Sequence, residues 1–225
     1  MTGEADREPR PRLMYRAATR QDLYEVARVY LRAFPDSLRA LHAPHLTPLA
    51  VADVMRAVLE ADPGAIIMAM APAGEVVGYI IAATDTSGVA HAAVSRGLIL
   101  RWLWRWLRGM YHLPLAGAWT LLRDKLRLRD AWQIEGADCP ARIVSLAVDP
   151  DWQRRGLGRD LLLAGLRRLR AQGRTFVRLE VRPGNTAARH LYEGTGFREM
   201  GRVADSRGEW IVMVGSTDRL EAPAP

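Results

Sequence analysis

The period of the apolar positions changes several times along the chain, and each change marks an element. Leu13–Ala17 is a short β-forming run. Thr19, followed three positions later by Asp22, forms a helix-start pattern with an acid near the positive end of the helix. Leu23, Val26, Ala27, Tyr30 and Leu31 then recur at helical spacing up to Pro35. Thr47-Pro48 supplies an N-cap and a proline at the first helical position. Leu49, Val51, Val54, Met55, Val58 and Leu59 predict a second helix ending near Asp62-Pro63-Gly64. Two continuous apolar runs, Ala65–Met70 and Val76–Ala83, separated by Ala71-Pro72-Ala73-Gly74-Glu75, predict a hairpin of buried strands. Neither run reaches the ~18 residues needed to span a bilayer.

From Thr84 to Pro140 the pattern turns helical, and five of the seven tryptophans fall there. Arg101, Arg105 and Arg108 share one face of a first amphipathic segment, with Leu98, Ile99, Trp102, Leu103, Trp106 and Leu107 around the rest. In a second, Leu115, Trp119, Leu122 and Leu126 form a stripe opposite Arg123, Lys125, Arg127 and Arg129. Beyond this insertion Arg142–Val148 reads as a strand, Asp149-Pro150 as a turn, and Leu157–Ala171 as a helix with Leu161, Leu162, Leu166 and Leu169 inward and Gly173 after its end. Phe176–Val181 is a strand, and Thr186–Glu193 is a short helix capped by Asn185. Arg198–Val203 and Glu209–Val214 are a final strand pair. Strands alternating with helices indicate an α/β (α+β) chain, with the helical insertion between the third and fourth strands.

A length of 225 residues suits one domain, 13–215, carrying the insertion 84–140 between tails at 1–12 and 216–225. The tails are charged or proline-bearing and are expected to be mobile. The excess of Lys and Arg leaves a net charge of +7, which favours an anionic ligand or surface. Cys139 is the sole cysteine, so neither an internal disulfide nor a thiolate zinc cluster can form within the chain. Met1–Arg12 has no apolar stretch resembling a secretion signal, and a cytoplasmic location is expected.

The chemistry concentrates in Val148-Asp149-Pro150-Asp151-Trp152-Gln153-Arg154-Arg155-Gly156-Leu157-Gly158-Arg159, a strand-to-helix loop. Such a loop can direct several backbone N–H groups at one point while the helix adds the positive end of its dipole, an arrangement suited to a phosphate or pyrophosphate. Glycine lets a ligand approach the backbone closely, and Arg154, Arg155 and Arg159 can add charge-assisted bonds. A solvated, glycine-rich helix entry would have the same residues. There is no Gly-x-x-x-x-Gly-Lys-Ser/Thr, and Gly156-Leu157-Gly158 lacks the third glycine of a dinucleotide fingerprint.

Gln153-Arg154-Arg155-Gly156-Leu157-Gly158, after Val148-Asp149-Pro150, resembles the acetyl-CoA motif Gln/Arg-x-x-Gly-x-Gly/Ala of the GNAT superfamily of N-acetyltransferases. A second block, from Asn185, Ala188 and Tyr192 to Gly196-Phe197, is similar to the superfamily's Asn-x-x-Ala-x-x-x-Tyr-x-x-x-Gly-Phe segment. The resemblance implies a mixed central β-sheet flanked by helices. It also implies that acetyl-CoA serves as co-substrate, with the amine attacking the thioester directly. The backbone of Leu146, Ala147 and Val148 would pair with the pantetheine arm, and the loop from Gln153 through Arg154, Arg155, Gly156, Leu157 and Gly158 to Arg159 would hold the pyrophosphate. Asn185 would contact the coenzyme A arm. Tyr192 would protonate the departing thiolate, a task suited to a phenol that is neutral at pH 7. Glu180 is placed like the glutamate of the ribosomal-protein N-terminal acetyltransferases, where it acts on the amine. Its strand alternates Val177, Leu179 and Val181 with Arg178, Glu180 and Arg182, so a cross-strand ion pair is the competing reading.

Cys139 lacks a nearby base and reads as a buried thiol; His42 and His45 lack companion ligands, and no metal is expected. For the Trp/Arg insertion, a lid over the acceptor site ranks first, a homodimer face second, and contact of 98–129 with an anionic membrane surface third. Nucleic acid ranks lower, since no binding motif accompanies the arginines. The acceptor is expected to be an amine, whether a small molecule, a lysine or a peptide N-terminus. The alternative to an enzyme is a catalytically silent coenzyme A-binding module for regulation or membrane-surface interaction.

Overall fold

The computed structural model describes residues 13–40, 43–114, 139–205 and 208–218. The first half comprises β1 (Met14–Ala17), α1 (Leu23–Ala33), α2 (Pro35–Ala40), α3 (Pro48–Ala61), β2 (Ile66–Met70), β3 (Val76–Ala83), α4 (Ser87–Ser95) and α5 (Leu98–Leu107). The second comprises β4 (Arg142–Val148), a single 3-10 turn (Pro150–Trp152), α6 (Leu157–Ala171), β5 (Phe176–Val181), α7 (Thr186–Glu193), β6 (Arg198–Asp205) and β7 (Gly208–Ser216). The strands form one sheet in the order β1-β2-β3-β4-β5-β7-β6. β4 and β5 run parallel; the other neighbours are antiparallel. This is the expected mixed sheet with helices on both faces.

Each face has its own apolar layer. α6 contributes Leu161, Leu162, Leu166 and Leu169 to a core with Val77, Ile80, Ile143 and Leu179. Gly165 permits this close approach: a Cβ there would lie 2.7 Å from Ile80 Cδ1 and 3.1 Å from Ala82 Cβ. On the other face α1 and α3 pack Val26, Val51 and Met55 on Ile66, Met68, Tyr79 and Ile81. Alternation along β3 therefore sends Ile80 to α6 while Tyr79 and Ile81 go to α1 and α3. The β4-α6-β5 crossover places the amino end of α6 at the carboxyl end of β4, where open parallel sheets form their binding crevices.

Local signals account for several boundaries. Thr47 caps α3, accepting from the Ala50 N–H at 3.4 Å, with Pro48 at the first position. Asn185 caps α7, accepting from the Ala188 N–H at 3.1 Å, and Gly173 (φ +73°) follows the end of α6. Asp22 precedes α1 in helical conformation and accepts from the N–H and hydroxyl of Thr19, both at 2.7 Å. Two helices were not anticipated. Phe34 (φ −123°, ψ 52°) ends α1, and six residues from Pro35 form α2 where only a helix end was expected. α4 has no amphipathic stripe and buries little beyond Ala92 and Ala93. The expected tail from Ser216 begins later: β7 includes Ser216, and the buried Thr217 bonds through its N–H to Thr175 O at 2.9 Å. The predicted second insertion helix, Leu115–Arg129, and the tails at 1–12 and 219–225 lie outside the described residues.

Candidate active site

The site begins with a break in the sheet. Ile81 pairs with Ser145 and Ala82 with Ile143, leaving Val144 as an extra residue in β4. Such a bulge reverses the alternation. Ile143 joins the α6 layer, whereas Ala147 joins the α1/α3 layer and the Ser145 hydroxyl lies 2.8 Å from that of Tyr79. β4 pairs with β5 through Arg142↔Arg178 and Ile143↔Leu179 alone. Beyond the bulge the strands separate, so the backbone of Leu146, Ala147 and Val148 on the β5 side faces an opening rather than a strand.

The loop closing this opening is firmly braced. Buried Asp149 accepts from the Asp151 N–H at 3.1 Å, and its own N–H donates to Val77 O at 2.9 Å. Arg32 of α1 reaches Asp149 and Asp151, both at 2.8 Å, offsetting two carboxylates beside a basic loop. Gln153 Nε2 donates to Val148 O at 3.1 Å, so this side chain spans the loop internally. Arg154 (φ +60°) and Gly156 (φ +86°) both adopt the left-handed region, sparsely populated by residues other than glycine. This turns the chain sharply into α6. Leu157 anchors the helix in the core, so its contribution to the site is its amide. The Arg159 N–H turns back to Gly156 O at 3.0 Å, whereas the Leu157 and Gly158 amides at the start of α6 have no intrahelical acceptor, and they lie at the positive end of a 15-residue helix.

Arg154, Arg155 and Arg159 are exposed, and none makes an ion pair with another described residue. Arg155 stacks over Trp152, 5.2 Å from the ring centroid. A Cβ at Gly158 would make only ordinary contacts, 3.5 Å from Leu191 Cδ2 and 4.0 Å from Val148 Cγ2. The protein itself therefore does not require glycine there. The Leu191 contact also brings the start of α6 against α7, which carries Tyr192.

Tyr192 is 7% exposed and packs on Phe197 with ring centroids 5.9 Å apart. Burial pushes its phenol up to about 12. Its hydroxyl makes no hydrogen bond with another described residue, leaving the proton available to a ligand. Glu180 behaves differently: Oε1 accepts from Arg178 Nε at 2.7 Å and lies 3.1 Å from Arg142. This ion pair bridges β4 and β5 at the point where they are still joined.

Sequence reasoning missed the wall on the α1/α3 face. Asp53, 4% exposed in mid-α3, receives Arg101 and Arg105 at 2.5 Å each and the Tyr111 hydroxyl at 2.6 Å. Burial and the adjacent carboxylate push the Tyr111 phenol up. Arg101 and Arg105 of the α5 stripe are thus turned inward, while Arg108 is exposed and stacks over Trp104, and α5 roofs an apolar cavity that includes Val144 and Ser145. A lone aspartate in an apolar helix pattern was the available signal. Cys139 is half-buried. Among the described residues there is no cluster of three metal-ligating side chains, and no helix is long and apolar enough to cross a membrane.

Residues 125–197 match the model of the Acetyltransferase (GNAT) family. Those residues carry a GNAT family-model domain, and the seven-stranded sheet with its helices has a GNAT-like α/β fold. It is 36% identical over 122 residues to mycothiol acetyltransferase of Thermobispora bispora, covering 43% of this chain and 41% of that protein. It is 51% identical over 59 residues to ribosomal protein bS18-alanine N-acetyltransferase of Salmonella typhimurium, covering 26% of this chain and 40% of that one. The matches thus span about two fifths of the length of these curated relatives. In fold the GNAT domain is similar to the crystal structure of SsHAT, with a TM-score of 0.67 at 24% identity over 92% of this chain and 99% of that one.

Proposed function

We propose that this protein is an N-acetyltransferase that moves the acetyl group of acetyl-CoA to an amine in a ternary complex. The observation that carries the reading is the parting of β4 from β5 after Ile143, which leads directly to the amino end of α6 with three exposed arginines that form no ion pair among the described residues. Backbone groups of Leu146, Ala147 and Val148 offer an extended edge to the amide-bearing pantetheine arm. The amides of Arg154–Gly158 and the guanidiniums of Arg154, Arg155 and Arg159 suit a diphosphate, while the Arg159 amide is committed to Gly156 O. Asn185 would contact that arm while its Oδ1 caps α7. Names of the relatives, both acetyltransferases, support the same reaction class.

In the reaction proposed, the amine nitrogen bonds to the thioester carbonyl carbon, the carbon–sulfur bond breaks, and the thiolate takes the Tyr192 hydroxyl proton. Glu180 accepts the proton lost by the amine, through water; exchange with solvent then takes that proton from Glu180 and returns one to the Tyr192 phenolate, so the two substrates yield an amide and a thiol and both side chains regain their starting states. Arg142 and Arg178 hold its carboxylate in place. A second reading of Glu180, as a brace across the root of the β4/β5 opening, is favoured by those same two contacts. The bridge Glu180→Gln separates the two readings, as argued below.

Calorimetric titration with coenzyme A, followed by thiol release from acetyl-CoA over an amine panel, tests the proposal. Binding in the micromolar range or tighter and amine-dependent thiol release are expected. No heat with coenzyme A, together with no effect of Gly156→Val, would overturn it. Binding without turnover by any amine would instead support the silent coenzyme A-binding module.

A further inference from the structure

A cavity of about 720 Å3 lies under α5 on the α1/α3 face of the sheet. That volume falls within the range of pockets that enclose small organic ligands. Its wall is overwhelmingly apolar, with Val51, Met55, Ile99, Trp102, Leu103 and Trp106 prominent. The polar groups in it are nearly all committed: the Tyr79 and Ser145 hydroxyls to each other at 2.8 Å, and the Tyr111 hydroxyl to Asp53. The Trp106 indole N–H is likewise committed, to Leu113 O at 2.9 Å, and the Trp102 indole N–H is enclosed by protein and does not open on the cavity.

The cavity meets the reaction path at the bulge, since Val144 and Ser145 form part of its wall. α6 and its phosphate-binding end lie on the opposite face of the sheet from α1 and α3. A donor held at α6 and a molecule held in the cavity would therefore approach Val144 from opposite faces, as direct attack requires. We infer that the cavity receives the acceptor, and that the acceptor is a primary amine carrying a large apolar body. This inference rests on the acetyltransferase reading of the same site. The amine stays at the Val144 end and the body fills the space beneath α5. An apolar wall also disfavours the ammonium form, so it delivers the neutral nucleophile at the mouth. The Asp53 ion pairs with Arg101 and Arg105 fix α5 as the roof. Placing two arginines on an internal carboxylate leaves the rest of that helix free to line the cavity with tryptophan and leucine.

The test uses the full chain, saturating acetyl-CoA and straight-chain primary amines from ethylamine to octylamine, which have similar basicity, with spermidine as a polar comparator. Thiol release should show kcat/KM rising about fourfold per methylene until the cavity is filled, with spermidine near the ethylamine level. Ile99→Glu and Leu103→Glu each place a carboxylate on a half-exposed position of the wall. Either should lower the octylamine-to-ethylamine ratio at least tenfold. Equal rates along the series, a preference for spermidine, or an unchanged ratio in both variants overturns the inference. So does a length dependence that belongs to the acyl group, with hexanoyl-CoA preferred over acetyl-CoA for a short amine. Calorimetry with octylamine and no donor reads the cavity separately. If coenzyme A binds but octylamine gives neither heat nor thiol, the cavity inference fails and the coenzyme A reading stands. If coenzyme A does not bind, the acetyltransferase reading fails, while octylamine heat lost in Ile99→Glu still reports on the cavity.

Discussion

At the scale of single residues, Tyr192 and Glu180 make contrasting predictions. Tyr192→Phe removes one hydroxyl that has no structural partner among the described residues, so the fold and coenzyme A affinity should persist. Its kcat should fall about 100-fold or more, the usual range for a lost general acid, as measured by thiol release and calorimetry on one preparation. Burial raises this phenol from 10 to about 12, so the wild-type acid stays protonated across the alkaline range and activity should not fall below pH 11 through this group. The same shift has a stability sign: the contribution is complete below the unfolded value near 10 and is lost as pH rises toward 12. For Glu180→Gln a base role predicts a fall in kcat that shrinks as pH rises and the amine deprotonates unaided. A brace alone predicts a lower Tm with an unchanged pH profile. These residues were legible because their motifs are local: Gly156, Asn185 and Tyr192 owe their positions to a turn, a cap and a helix face within one short stretch. Asp53 was not, because its partners Arg101, Arg105 and Tyr111 lie 48, 52 and 58 positions away, and nothing in the α3 pattern refers to them.

At the scale of elements, the Asp53 cluster links α3 to α5. Asp53→Ala leaves two guanidiniums and a phenol facing an apolar space, and removing one partner of a buried ion pair costs about 3 kcal/mol or more. With each kilocalorie worth roughly 2–4 °C in a domain of this size, thermal unfolding should move down by about 10 °C. Coenzyme A binding, on the opposite face of the sheet, should change little. Asp53→Asn keeps acceptor capacity for Tyr111 and should lose less. An unchanged Tm in Asp53→Ala would mean that α5 is held by its apolar face alone. The strands and long helices were legible from period because α6 and β3 bury one consistent set of positions. The bulge was not: Val144 sits in an unbroken apolar strand pattern, and only the register against β3 reveals the extra residue. α2 and α4 escaped for a related reason, since neither has a buried stripe long enough to establish a helical period.

For the whole molecule, the two faces of the sheet should respond oppositely to salt. The net charge of +7 and Arg154, Arg155 and Arg159, exposed and without an ion-pair partner among the described residues, create a positive field around the α6 entrance, and under the proposed reading a diphosphate there would be held largely by charge. Raising ionic strength from about 0.05 M to about 0.5 M shortens the screening length to a few ångströms, so the Kd for coenzyme A should rise about tenfold. Arg154→Ala, Arg155→Ala and Arg159→Ala together should abolish most of that salt dependence as well as weaken binding, because a charge-assisted bond is worth roughly 1.5–3 kcal/mol. Among the described residues no charged side chain lines the cavity beneath α5, and transfer of an alkyl body out of water is not screened by simple salt. The KM for octylamine should therefore stay level or fall over the same range, read from thiol release at saturating acetyl-CoA. Parallel weakening of both substrates would mean that the acceptor too is held by charge, which the apolar lining around Trp102 and Trp106 does not provide. Opposite responses would place the electrostatic half of recognition at α6 and the hydrophobic half under α5, with the bulge at Val144 as their meeting point.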